Sequence, residues 1–209
     1  MKARAFNNGE RGFTLFEMAL VIGIFTVMLV ISGPSLRRVI EGYQISQGAM
    51  SVYSDLMYAK MQAVEKQNEV IMIFRPADQE YDILYDFNSD WDGDELAEGD
   101  YYLKYGVTLT GGMVFATNMY QIVGVDSEGI GDGVTFNSNR IYFQPSGRAA
   151  EGHEDSLFNL IPATRRSVYL IQEGDAAIND YTYLRALVLD GITGTPVVKK
   201  YKGVWVTKN

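Results

Sequence analysis

Cysteine is absent from the 209 residues, and histidine occurs once, at His153. The first absence removes disulfides, thiolate metal sites and cysteine nucleophiles together. The second removes most zinc sites and leaves a Ser-His-Asp enzyme without support. His153 lies in the polar stretch 151–155 (EGHED) and reads as an ordinary exposed side chain. No phosphate-cradling glycine loop or nucleophile motif is present, so catalysis is not expected. Positive charge is also short: 18 Lys and Arg stand against 26 Asp and Glu, a net charge of −8. That argues against a general nucleic-acid binder and leaves only a local basic patch open. Apolar residues at 47% and charged residues at 21% exclude wholesale disorder. Twenty-one glycines and 12% aromatics point to a body of turns and strands.

The chain is uneven along its length. Residues 1–12 are polar and basic, with Lys2, Arg4 and Arg11 against Glu10. Residues 13–33 contain one charge, Glu17. As a helix this run rises about 30 Å, the thickness of a bilayer core. Three readings fit its hydropathy: a membrane span, a buried core helix, and a cleavable secretory signal. The basic residues before it would hold the amino end in the cytoplasm and place the body outside. Helical spacing continues over 35–66, where Leu36, Ile40, Tyr43, Met50, Tyr53, Met57 and Val64 fall on one stripe. That stripe is expected to pack on the protein's own core. Pro34 lies between the two halves and predicts a kink or local melting there.

From Gln67 onward the pattern becomes short β-rich runs. Candidate strands are 69–74, 80–86, 101–109, 113–124, 140–144, 167–172, 182–190 and 196–206, with Gly, Asn, Asp and Pro between them. One long helix followed by consecutive strands implies an α+β body with antiparallel sheet packed against the helix.

The order Arg11-Gly12-Phe13-Thr14-Leu15-Phe16-Glu17 is not needed for membrane insertion. A carboxylate in hydrocarbon costs about 2.5–3.5 kcal/mol, so it suggests a functional partner. This leader, glycine, phenylalanine, Thr-Leu, glutamate and apolar run together closely resemble the class III signal of type IV pilins and type II secretion pseudopilins. Phe16 departs from the family, which usually has a small, polar or aliphatic residue there. The resemblance implies cleavage between Gly12 and Phe13 by a prepilin peptidase and N-methylation of Phe13. The apolar helix is then kept, and Pro34 falls at the family's helix-kinking position. Opposite charges neutralise each other at low dielectric, so Glu17 is expected to pair with the Phe13 amine of an adjacent subunit and set the axial register; the other reading is a glutamate that snorkels to the interface. Residues 140–148 (RIYFQPSGR) and the late strands 167–172 and 182–190 look like the GspH/FimT group of minor pseudopilins and minor pilins, in which a β-sandwich sits on the helix.

Two other stretches carry candidate chemistry. Residues 76–103 hold ten acids and no base, exceeding the net −8, so the remainder of the chain carries +2. Asp86, Asn88, Asp90, Asp92 and Asp94 alternate as oxygen ligands in a Ca²⁺ loop do, although no glutamate stands at the twelfth place from Asn88. A solvated acidic loop is the other reading. Lys199, Lys200 and Lys202 interleave with Tyr201 near Trp205, a pattern that suits DNA or a cationic edge strand that resists aggregation.

The expected molecule is therefore α+β: a leader at 1–12, a transmembrane and filament-core half-helix at 13–34, an amphipathic half at 35–66, and a periplasmic β-sandwich head at 67–209. Its expected work is assembly, without a required cofactor, as a minor pseudopilin of a type II secretion system. The alternatives are a type IV pilus minor pilin with a role in DNA uptake, and a membrane-tethered, Ca²⁺-stabilised binding module that does not polymerise. The expected partners are the peptidase, sibling pilin or pseudopilin subunits, an inner-membrane assembly platform, and lipid before assembly.

Overall fold

A computed structural model describes residues 13–87, 99–117, 119–123, 129–150, 166–178, 181 and 183–207. The chain divides into two compact units, Met1–Glu41 and Gly42–Asn209. One helix, α1 (Leu15–Lys66), follows Phe13 and Thr14 in the first unit and opens the second; it runs without interruption across Pro34.

In the first unit α1 is apolar, and every described side chain over 13–31 is exposed. Among the described residues no helix is long and apolar enough to cross a membrane. The apolar stretch whose side chains are described, 15–31, rises about 25 Å, against a hydrocarbon core about 30 Å thick.

In the second unit α1 runs to Lys66, where Gln67 turns left-handed at φ 52°. The Gln67 side-chain amide donates to the Val64 carbonyl oxygen at 2.6 Å, satisfying one orphan acceptor of the last turn. Strands then follow: β1 (Glu69–Arg75), β2 (Glu80–Asp86), β3 (Tyr101–Thr108), β4 (Met113–Phe115), β5 (Met119–Val123), β6 (Gly129–Ile130), β7 (Arg140–Phe143), β8 (Ala149–Ala150) and β9 (Ser167–Gln172). A short helix α2 (Glu173–Ile178) precedes β10 (Arg185–Asp190), β11 (Thr195–Tyr201) and β12 (Trp205–Thr207). Two five-stranded sheets result, ordered β3-β2-β1-β7-β8 and β12-β11-β10-β9-β4, with β5-β6 as a separate pair; the described ladders are antiparallel. This is the α+β arrangement of helix and antiparallel sheets that the sequence implies.

One core joins the helix to both sheets. Ile45, Val52 and Leu56 of α1 meet Met72 and Phe74 of the first sheet and Leu170 and Leu187 of the second. This corrects the expected helix stripe. Of that stripe Tyr53 is half-buried and packs against the core, but Ile40, Tyr43, Met50 and Val64 are exposed, and the buried face is Ile45, Ala49, Val52, Leu56, Ala59 and Ala63. The reason is backbone approach. A Cβ added to Gly48 would stand 2.6 Å from the Thr110 carbonyl oxygen, so at this position the close approach admits only glycine.

Two expected strands are each broken. In 113–124 the Ala116 amide bonds to the Tyr169 carbonyl at 2.9 Å and the Thr117 amide turns back to Phe115 at 2.8 Å, so the chain leaves the sheet. In 196–206 Gly203 at φ 78° makes a turn, closed by the Lys202 amide on the Val204 carbonyl at 2.9 Å.

Candidate functional site

The candidate site is the start of α1. The Thr14 amide and hydroxyl each donate to Glu17 Oε2 at 2.9 Å, and the Glu17 amide donates back to Thr14 Oγ1 at 3.2 Å. The Met18 amide closes the first helical turn on the Thr14 carbonyl oxygen at 3.2 Å. This is a reciprocal capping box: Thr14 caps the helix and Glu17, three residues on, caps the cap. The carboxylate also sits in the first turn, where the helix dipole favours negative charge. Phe13, directly before the cap, is 81% exposed. Glu17 thus holds a local role that the sequence reading did not assign to it; its signal, Thr-x-x-Glu ahead of an apolar run, was present.

Gly12, the residue before the expected cleavage point, lies outside the described residues, as do Asn88, Asp90, Asp92, Asp94 and His153. Asp86 is described. It ends β2, is buried, and stands directly across from Glu69 at the start of β1. Burial first, and then the charge of Asp86, push the Glu69 carboxyl up to about 9. Among the described residues no three His, Asp or Glu are grouped to hold a metal.

Neighbouring β11 residues point to opposite sides of their sheet. Lys200 lies opposite Arg185 on the side of Val198 and Leu187, whereas Lys199 lies opposite Ala186 on the side of Tyr201. Lys202 is exposed in the turn beyond. The three lysines therefore do not form one continuous face.

Two buried networks escaped the sequence reading. Asp55 of α1 accepts from the Tyr81 hydroxyl at 2.8 Å and from Lys104 Nζ at 2.5 Å. Asp82 accepts from Arg75 Nη2 at 2.8 Å and from the Gly106 amide at 2.7 Å. Their members lie on separate elements, and nothing local marks them.

With the helix start in view, comparison with known proteins adds one observation. The chain is similar to a competence protein. It is 27% identical over 102 residues to competence protein ComGD of Bacillus subtilis (strain 168). The match covers 49% of this chain and 65% of that protein, so this chain spans less than two thirds of its relative's length. No protein-family model matches the sequence, and no solved structure does.

Proposed function

We propose that the chain is a pilin-like subunit whose work is assembly. A prepilin peptidase cuts between Gly12 and Phe13, and the new Phe13 amine is methylated. The apolar half of α1 first anchors the chain in the inner membrane, amino end inward and head outward. It then leaves lipid to pack among the helices of sibling subunits on an assembly platform, with a bend at Pro34. The observation that carries this reading is the exposure of every described side chain over 13–31 on a helix with one charge. Such a surface is stable only when lipid or other apolar helices cover it. The order from Gly12 to Glu17 and the similarity to a competence protein support the same reading.

The similarity favours a competence filament over the other finer readings. A type II secretion pseudopilus is the second reading, supported by the GspH/FimT-like stretch at 140–148. No cofactor is needed in either, and Ca²⁺ at Asp86 would be an accessory. Sequencing the amino terminus of membrane-extracted protein tests the common part: N-methyl-Phe13 is expected, and Met1 opposes it. A deletion strain scored for transformation and for exoprotein release separates the two filaments.

A further inference from the structure

The turn between β10 and β11 holds an isoleucine outward on a rigid mount. Ile192 is 66% exposed. Asp190 Oδ1 accepts from the Ile192 and Thr193 amides at 2.9 Å each, and the Gly194 amide donates to the Asp190 carbonyl oxygen at 2.6 Å. Lys60 Nζ reaches across from α1 to the Thr193 carbonyl oxygen at 2.6 Å and to Thr195 Oγ1 at 3.2 Å. Gly194, at φ 60°, lies so close to Gly147 that an added Cβ would collide with the Gly147 carbonyl oxygen. An apolar side chain on a turn held this firmly loses little freedom when something binds it.

Beside this turn α1 is apolar. Tyr53, Met57, Lys60 and Val64 stand four, three and four residues apart, so they share one side of the helix. Val64 is 41% exposed and Met57 half-buried, with the exposed Met61 next to them. A Cβ on Gly147 would stand 3.5 Å from both Lys60 Cε and Val64 Cγ2, so Gly147 fills the space between α1 and the turn. Between Gly42 and Val64 the helix carries two charges: Asp55 is buried, and Lys60 is tied to the turn. An apolar helix laid along the outer side of α1 therefore meets no bare charge of α1 over a rise of about 33 Å.

We propose that Met57, Met61 and Val64 of α1, with Ile192 as an opposing knob, form a shelf that seats the apolar stretch 13–31 of a second copy. The shelf rests on the filament reading and assigns the head its share of the contact. The occupant follows from fit. Stretch 13–31 lies almost wholly in α1, its described side chains are all exposed, and it carries one charge. Its part 15–31 rises about 25 Å, shorter than the uncharged side that would receive it. An apolar helix in a groove is a common mode of recognition, and methionine side chains adapt to the surface they meet. A shelf on one copy and an apolar stretch on the next are unlike surfaces, so the contact repeats along a rod instead of closing into a pair.

The absence of cysteine gives introduced thiols a clean background. Two full-length copies are expressed together in cells that carry the assembly machinery. One carries Ile192→Cys; the other, lengthened by a tag, carries Cys in place of Ile24, Val27 or Ile31 in turn. Mild oxidation is expected to give a species of the two masses combined, strongest at one of the three positions. Met61→Cys, from the facing side of the shelf, is expected to give the same species and carries the test if the turn does not tolerate its change. Ile192→Asp is expected to leave the melting temperature of the detergent-extracted chain unchanged. It is also expected to lower recovery in sheared filaments about tenfold, because a carboxylate would be enclosed against apolar side chains. Incorporation of the unsubstituted chain into sheared filaments tests the filament reading separately. Incorporation without a cross-link from Ile192→Cys or Met61→Cys, or equal recovery of Ile192→Asp, overturns the shelf and leaves the filament reading standing. Absence of the chain from filaments overturns both. A disulfide to a polypeptide that is neither copy puts a different protein on the shelf and overturns the second copy.

Discussion

The Tyr81 hydroxyl donates a 2.8 Å hydrogen bond to a carboxylate oxygen of Asp55, a residue 26 positions earlier. Lys104 Nζ holds the other oxygen at 2.5 Å, so one buried carboxylate ties α1 to β2 and β3. Burial, and then the Asp55 charge, push the Tyr81 phenol upward, which keeps it a donor. Tyr81→Phe removes a hydrogen bond to a charged acceptor and is expected to destabilise the fold by about 1.5–3 kcal/mol. Lys104 is 39% exposed, so Lys104→Met is expected to cost less, under about 1 kcal/mol. Denaturant titration of the full chain in detergent measures both; an unchanged midpoint for Tyr81→Phe would mean that Asp55 is satisfied without it.

The buried face of α1 predicts opposite outcomes for two substitutions. Gly48→Ala drives a Cβ against the Thr110 backbone and is expected to cost about 1–3 kcal/mol. Met61 is 63% exposed, and Met61→Ser is expected to stay within about 0.5 kcal/mol. Melting temperatures of the two variants check this. A large loss with Met61→Ser and none with Gly48→Ala would contradict this assignment of the buried face.

Glu69 predicts a pH dependence. Its folded carboxyl is raised to about 9, so between its ordinary value of 4.5 and about 9 the folded state binds more protons than the unfolded one. Stability from this group is greatest in acid and declines as pH rises through that window. Glu69→Gln removes the titration, so the variant gains on the parent as pH rises, by on the order of 1–3 kcal/mol from pH 5 to pH 8. Unfolding at both pH values is the measurement, and parallel curves would contradict it.

The capping box separates two roles of Glu17. Glu17→Gln keeps an acceptor for Thr14 and removes the charge; Glu17→Ala removes both. Thr14→Val keeps the charge and loses a cap worth about 1 kcal/mol. If Glu17 pairs with a neighbour's amine, all three are still cleaved after Gly12, the two Glu17 variants stay out of the filament, and Thr14→Val enters it. Immunoblots of sheared filaments against membranes read this out. Normal incorporation of Glu17→Gln would leave capping as the whole role of Glu17.

Local features were legible in the sequence. Strands β1, β2 and β9 stand within a residue of their expected limits, because alternation and flanking turn residues are properties of neighbours in the chain. Other features were not. Tyr43 and Met50 have helical spacing as good as that of Ile45 and Ala49, and hydropathy favours the bulkier set. The strand expected over 113–124 breaks because the Phe115 amide meets the Gln79 side chain at 2.6 Å and the next amide meets Tyr169, both supplied from elsewhere in the chain.

By itself the sequence determined the capped apolar helix start, the order of helix before strands, and the lack of thiol chemistry, since each depends on residues within a turn or two of one another or on composition alone. Tertiary structure decided which face of α1 is buried, and that Asp55, Glu69 and Arg185 are enclosed. Those outcomes depend on how closely backbones approach across sheets built from residues far apart in the chain, and no local pattern encodes that distance.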